Sequence, residues 1–162
     1  MKKCWIGLIL VFFVGAFCGG IEGAPIKVEL QEYRVLDNKI SDKYNKEFQP
    51  LVIQLNETKG FANKLVPLYL MKKVMTEIQA IQSDYEPKSS EMVELNDRSN
   101  NNYLGMTESI DQMSRGCDVE DVDLFNQGIR KLNNQLIEKQ KIGDDAFRLA
   151  RANRLNWVEQ LN

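Results

Sequence analysis

The first residue to look for in a catalytic site is missing, because none of the 162 residues is a histidine. Its absence removes the commonest general base, every Ser-His and Cys-His nucleophile pair, and the usual zinc ligand. An enzyme would have to work with a lysine or with two carboxylates. Paired carboxylates hydrolyse glycosides only when held about 5–10 Å apart across a sugar-sized cleft, and no spacing in the chain marks such a pair. The expectation is a protein that is not an enzyme, with no catalytic residue, no cofactor and no metal site.

The acids Asp118, Glu120, Asp121 and Asp123 form the one cluster that suggests calcium. An EF-hand loop needs an oxygen ligand at its fifth position and glycine at its sixth, where this chain has Val122 and Asp123. A helix start accounts for the cluster more simply, since carboxylates favour the positive end of the helix dipole. Asp118 is the expected N-cap.

Three further features carry chemistry of another kind. Asn56-Glu57-Thr58 is an N-glycosylation sequon, with Asn56 as the candidate acceptor, although it falls within an expected short helix. Cys117 is the only cysteine after Cys4 and Cys18, so no internal disulfide can form once those two are removed. In an oxidising compartment it is either a thiol shielded by packing, the favoured reading, or a bridge that makes a disulfide-linked homodimer. The polar run 96–102 followed by Tyr103 would be a contact surface for a partner if it formed a loop.

The chain opens with Met1, Lys2 and Lys3, followed by an apolar run from Cys4 to Cys18. A basic start, a run of this length and small residues behind it make a secretory signal peptide. The run falls short of the ~20 apolar residues a spanning helix needs, so no stable membrane anchor is expected. Residues 1–20 form the leader, with a cut after Gly20 and one after Gly23 as runner-up. Residues 21–162 form a single domain, large enough to bury a core without staples. Within them 19 basic residues face 23 acidic ones, a net charge of −4 without a basic cluster. That pattern argues against nucleic acid and against an anionic membrane as partners.

The elements that must position any site are helical. Leu30, Tyr33, Leu36, Ile40, Tyr44 and Phe48 recur three or four apart, which predicts a first helix over 28–48, ended by Pro50. A short helix begins at Leu51 and closes at Lys59 and Gly60. The central helix runs over 61–85, apolar on most sides and so expected to be buried, with Pro67 marking either its regular start or a kink. Residues 84–90 form a loop, with Ser89 or Ser90 as the next cap. From 91 to 115 the spacing predicts either one helix with a solvated middle turn or two short helices, capped by Arg115 and Gly116. Val122, Phe125, Ile129, Leu132 and Leu136 make an unbroken seam that ends at Gly143. Asp144 and Asp145 open a last helix with Phe147, Ala150, Trp157 and Leu161 facing inward. Met71, Met75, Met92, Met106 and Met113 all fit the helical periodicity and are expected in the core, although methionine also lines adaptable apolar sites.

The fold class expected is all-α, an antiparallel bundle of four main helices plus a short extra helix. The function expected is that of a secreted extracellular protein that binds another macromolecule through helical faces or loops. The alternatives are an extracellular carrier of a small lipid or fatty acid inside the bundle and, weakest, a cytokine-like ligand. An exposed apolar patch over a closed interior would favour the first. An apolar cavity of ~300 Å³ or more would favour the carrier.

Overall fold

A computed structural model describes residues 23–157, which are helical throughout apart from short connections, with no strand among them. The leader read at residues 1–20 and the inward-facing Leu161 lie outside the described residues. Helix α1 spans Gly23–Lys43, a single π-helical turn follows at Tyr44–Phe48, and α2 spans Gln49–Glu57. Helix α3 is Phe61–Ser83, α4 is Ser90–Asp118 and α5 is Val122–Ala152. Four long helices and one short one make a helical bundle. Among the described residues no helix is long and apolar enough to cross a membrane.

Pro50 does not stop the first helix. It sits in the first turn of α2, directly behind the π turn, and the helical path runs on through both. Phe48, fully buried, stacks on Tyr44 with ring centroids 5.0 Å apart. Gly60 was expected to close α2, but it stands at the start of α3 with φ of 78°, a value glycine adopts without strain. The cation on the last carbonyls of α2 is Lys64 rather than Lys59, its Nζ donating to Leu55 O at 2.6 Å.

Helix α3 runs unbroken through Pro67 and buries Leu68, Met71, Met75, Ile78 and Gln82. It is not buried all round, as its breadth of apolar residues suggested: Val66 and Tyr69 are 60% and 70% exposed. Residue Ser89 begins α4, but its side chain makes no cap bond to its own helix. Glu29 caps from α1 instead, accepting from the backbone N–H groups of Lys88 and Ser89, both at 3.0 Å, and from Ser89 Oγ at 2.9 Å. Burial pushes this carboxyl up, but those three donors and the Lys88 ammonium together hold it below its ordinary value.

Helix α4 is one 29-residue helix, and its polar middle is solvated on one side only, at Asp97 and Asn101. Asn96, Ser99 and Asn102 are all buried, because each meets a polar partner from another helix. Gln82 donates to Asn96 Oδ1 at 2.6 Å, Tyr33 OH and Ser99 Oγ share a bond of 3.0 Å, and Asn102 Nδ2 donates to Gln135 O at 2.7 Å. Asp118 closes α4 and Asp121 caps α5, accepting from Leu124 N at 2.9 Å. Gly116 is no cap either: a Cβ there would stand 2.6 Å from Phe125 N, so it is the point where α4 and α5 touch backbone to backbone. Helix α5 continues through Gly143, since Ile142, Ala146 and Ala150 carry its buried face on past the glycine. Asp145 does not start a helix but pairs with Arg98 across the groove at 2.9 Å, beside Glu138 at 3.0 Å.

Two apolar clusters result. The larger includes Phe48, Met71, Ile78, Met106, Ile110, Met113 and Leu132. The smaller gathers Ile26, Leu30, Met92, Leu95, Ile142 and Ala146. All five methionines are fully buried in one or the other. The polar belt of Ser99 and Asn102 lies along α4 between them.

Candidate functional site

At the level of that belt the bundle opens into a pocket of about 400 Å³. Three helices build it. Tyr33, Asp37 and Ser41 follow one another four apart on α1, with Tyr44 three further on in the π turn, so a single face points at the gap. Ser99, Asn102 and Tyr103 enter from α4. Lys139 and Ile142 enter from α5, and Gly143 leaves an opening beside them, since a Cβ there would meet nothing within 4 Å.

The walls combine rings with charges that are poorly hydrated. Burial raises the Asp37 carboxyl, and Lys139 pulls it part of the way back. Burial lowers the Lys139 ammonium, and Asp37 pulls it part of the way up. Each side chain feels the other's charge, yet the two form no ion pair in the structure. The ammonium sits 4.4 Å above the centre of the Tyr44 ring, a cation–π contact. Burial pushes the Tyr33 hydroxyl up to about 12 against the pull of its Ser99 bond, and it pushes Tyr103 up as well. These phenols are neutral at any physiological pH and act as donors, acceptors and flat apolar surface.

Asn102 is the residue that sets this pocket apart from packing. It is 2% exposed, and its Nδ2 is spent on Gln135 O and on Gln135 Oε1 at 2.9 Å. Gly105 makes this possible, because a Cβ there would come within 2.6 Å of the Gln135 amide. With the amide so fixed, Asn102 Oδ1 is left as the one buried side-chain polar atom without a hydrogen bond among the described residues. A buried acceptor in that state costs about 1–3 kcal/mol, which makes it a strained feature of the fold.

The residues read from sequence fall elsewhere. Asn56 is exposed in the last turn of α2, open to modification. Cys117 is a free thiol, 3% exposed in the larger cluster, and burial raises its pKa. Of the acidic cluster, Asp118 ends one helix and Asp121 caps the next. Among the described residues no group of three or more Cys, Asp and Glu is placed to hold a metal ion. Tyr103 is no loop residue: it is 4% exposed and lines the pocket from within. Tyr33, Asp37, Asn102 and Lys139 did not stand out in the sequence, although an acid four residues after a buried tyrosine was a usable sign.

A second surface is apolar and open. Ile53 on α2 and Val66, Tyr69 and Leu70 on α3 are all exposed, Tyr69 most of all.

By class this is an all-helical bundle, with a pocket of mixed polar and apolar lining at the junction of three of its helices. No protein-family model, no curated protein and no solved structure matches the chain.

Proposed function

We propose that the chain is an exported, non-enzymatic binding protein and that its binding site is the pocket between α1, α4 and α5. The observation that carries this reading is a pocket between three helices whose wall holds Asp37 and Lys139 without an ion pair. Features that weaken a fold and sit in a concave site are characteristic of function. The basic start and the apolar run of residues 4–18 support export through a leader ending at Gly20. Asn56, exposed, then becomes a glycosylation site. The pocket offers one carboxylate, Asp37, where glycoside hydrolysis needs two, which supports binding over turnover. Its lining of rings and aliphatic side chains around Asp37 and Lys139 suits a small ligand that has both an apolar body and a polar group.

Recognition of another extracellular macromolecule is the second reading, favoured by the exposed apolar face of Ile53, Val66 and Tyr69. The short connections at 58–60, 84–89 and 119–121 argue against the two long crossovers of a cytokine bundle. A homodimer bridged by Cys117 would first require that buried thiol to be uncovered.

Native mass spectrometry of the protein exported by eukaryotic cells tests the reading. It predicts a chain beginning at Ile21 and carrying one small non-covalent adduct. A bare chain at every ionisation energy, with all of the protein in complexes with a larger partner, would favour the second reading. An unprocessed chain retained in the cell would end both.

A further inference from the structure

Resting on the pocket reading above, we infer that Lys139 is a capture site for a small aldehyde with an apolar body, which it holds as an imine between α1, α4 and α5.

The surroundings of the lysines single Lys139 out. Among the described residues every other lysine is either exposed, as Lys73 and Lys131 are, or bonded to an oxygen. Lys43, Lys46, Lys72 and Lys141 pair with carboxylates, and Lys64 donates to Leu55 O. Lys139 is partly buried in the pocket wall, and no oxygen of the described residues accepts from it. Its Nζ lies instead 4.4 Å from the centre of the Tyr44 ring, a face that attracts a cation but takes no proton from it. Burial lowers the Lys139 ammonium, and the Asp37 charge offsets this only in part. A lysine drawn out of water in an apolar site keeps more of its amine neutral, and the neutral amine is the nucleophile.

The wall indicates what that amine would meet. Tyr33, Tyr103, Leu136 and Ile142 bring rings and aliphatic side chains to a space of about 400 Å³, which is small for a ligand site. Asp37 is the one carboxyl of the lining, and its charge is felt at Lys139. A ligand carboxylate would add an anion beside Asp37, and a ligand amine would add a cation beside Lys139. A carbonyl compound is neutral and avoids both, and its carbon is the electrophile with which a lysine amine condenses. An aldehyde presents that carbon with the least hindrance.

The step is a condensation in which nothing is oxidised or reduced. The nitrogen lone pair bonds to the carbonyl carbon, and the C=O π pair moves to oxygen. The two amine protons pass to that oxygen through solvent. The C–O bond then breaks, the oxygen leaves as water, and the C=N bond forms. Hydrolysis reverses the sequence, so the imine and the freely held aldehyde interconvert. Gly143, whose Cβ would meet open space, leaves a way out for the water.

The test treats the full exported chain at neutral pH with benzaldehyde and cyanoborohydride, which reduces an imine to a stable benzylamine. Mass spectrometry then maps the labelled lysines. Lys139 is expected to react about tenfold or more ahead of Lys73 and Lys131, because a pocket that holds the carbonyl against the amine raises its effective concentration. Its labelling should saturate as benzaldehyde is raised. Benzyl alcohol, with the same ring and no carbonyl, should compete at Lys139 and at neither exposed lysine. Nuclear magnetic resonance with benzyl alcohol alone, following the Ile142 methyls and the Tyr103 ring, reports on the pocket itself. Lys139→Met should lose the saturable label and keep those shifts. Labelling of Lys139 no faster than Lys73, with the benzyl alcohol shifts present, overturns the imine and leaves the pocket reading in place. Absence of both the saturable label and the shifts overturns both.

Discussion

Helix α5 meets α4 and α1 in opposite ways. Against α4 it closes until the backbones touch: a Cβ on Gly116 would meet Phe125 N and Cα, and one on Gly128 would come within 2.9 Å of Met113 N and Ser109 O. Against α1 it stands off, and the space between is the pocket. The tight contact is built around glycines and methionines, with the Asn102 amide tied to Gln135 across it. The open one holds two charges, Asp37 and Lys139, that the fold leaves without an ion pair. One helix thus carries a face selected for packing and a face whose residues weaken the packing, and the second kind is where binding sites are found.

Four measurements would break or sharpen that contrast. The largest effect is expected on the tight face, where Gly116→Ala should destabilise by about 2–3 kcal/mol in urea unfolding, because the atoms it meets are backbone and cannot rotate away. A neutral outcome would mean the helices can part and the contrast is false. Next is the latch that holds α1 at its far end. Glu29→Ala should cost about 1–2 kcal/mol at pH 7, by loss of the cap on α4. The carboxyl's folded pKa lies below its ordinary value of 4.5, so its contribution is complete above that value and is lost as the pH falls through the folded one. Wild-type unfolding should therefore show an acid limb below about pH 4.5 that Glu29→Gln flattens.

The open face should respond with the other sign. Asp37→Asn combined with Lys139→Met removes two partly buried charges and should stabilise by about 0.5–1 kcal/mol in urea unfolding, because a pair without close contact returns little of its dehydration. A loss of stability would show that the two hold the fold together and would weaken their assignment to a ligand. The smallest effect is Gly143→Ala, which should raise the stability by about 0.5–1 kcal/mol through helix propensity alone, since its Cβ meets open space. Two Gly→Ala changes of opposite sign, on faces of the same pair of helices, would establish the contrast directly.

Local pattern carried the helices and not what surrounds them. The periodicity of Leu30, Ile40 and Phe48 and of Met106, Ile110 and Met113 was sufficient to place buried faces, because amphipathic spacing is written in one segment. Gly116 and Gly143 followed the ordinary grammar of helix ends, and both lie inside helices. One is kept small by a neighbouring backbone and the other borders a space, neither visible from adjacent residues. The run 96–102 looked solvated because its partners, Gln82, Tyr33 and Gln135, come from three other helices. Asp121 displaced Asp118 as cap by a shift of three residues, the scale on which boundary signals blur. The pocket was the least legible part: Tyr33 belonged to an apolar series, Lys139 carried no pattern of its own, and only their meeting across the bundle gives either a role.

A high-resolution crystal structure of the protein purified from the medium of cells that export it, without added ligands, addresses the central claim most directly. The account predicts that α1 stays parted from α5, with the density of a small molecule between them against Asp37 or Lys139. Closure of α1 onto α5, with Asp37 and Lys139 paired and no such density, would contradict it.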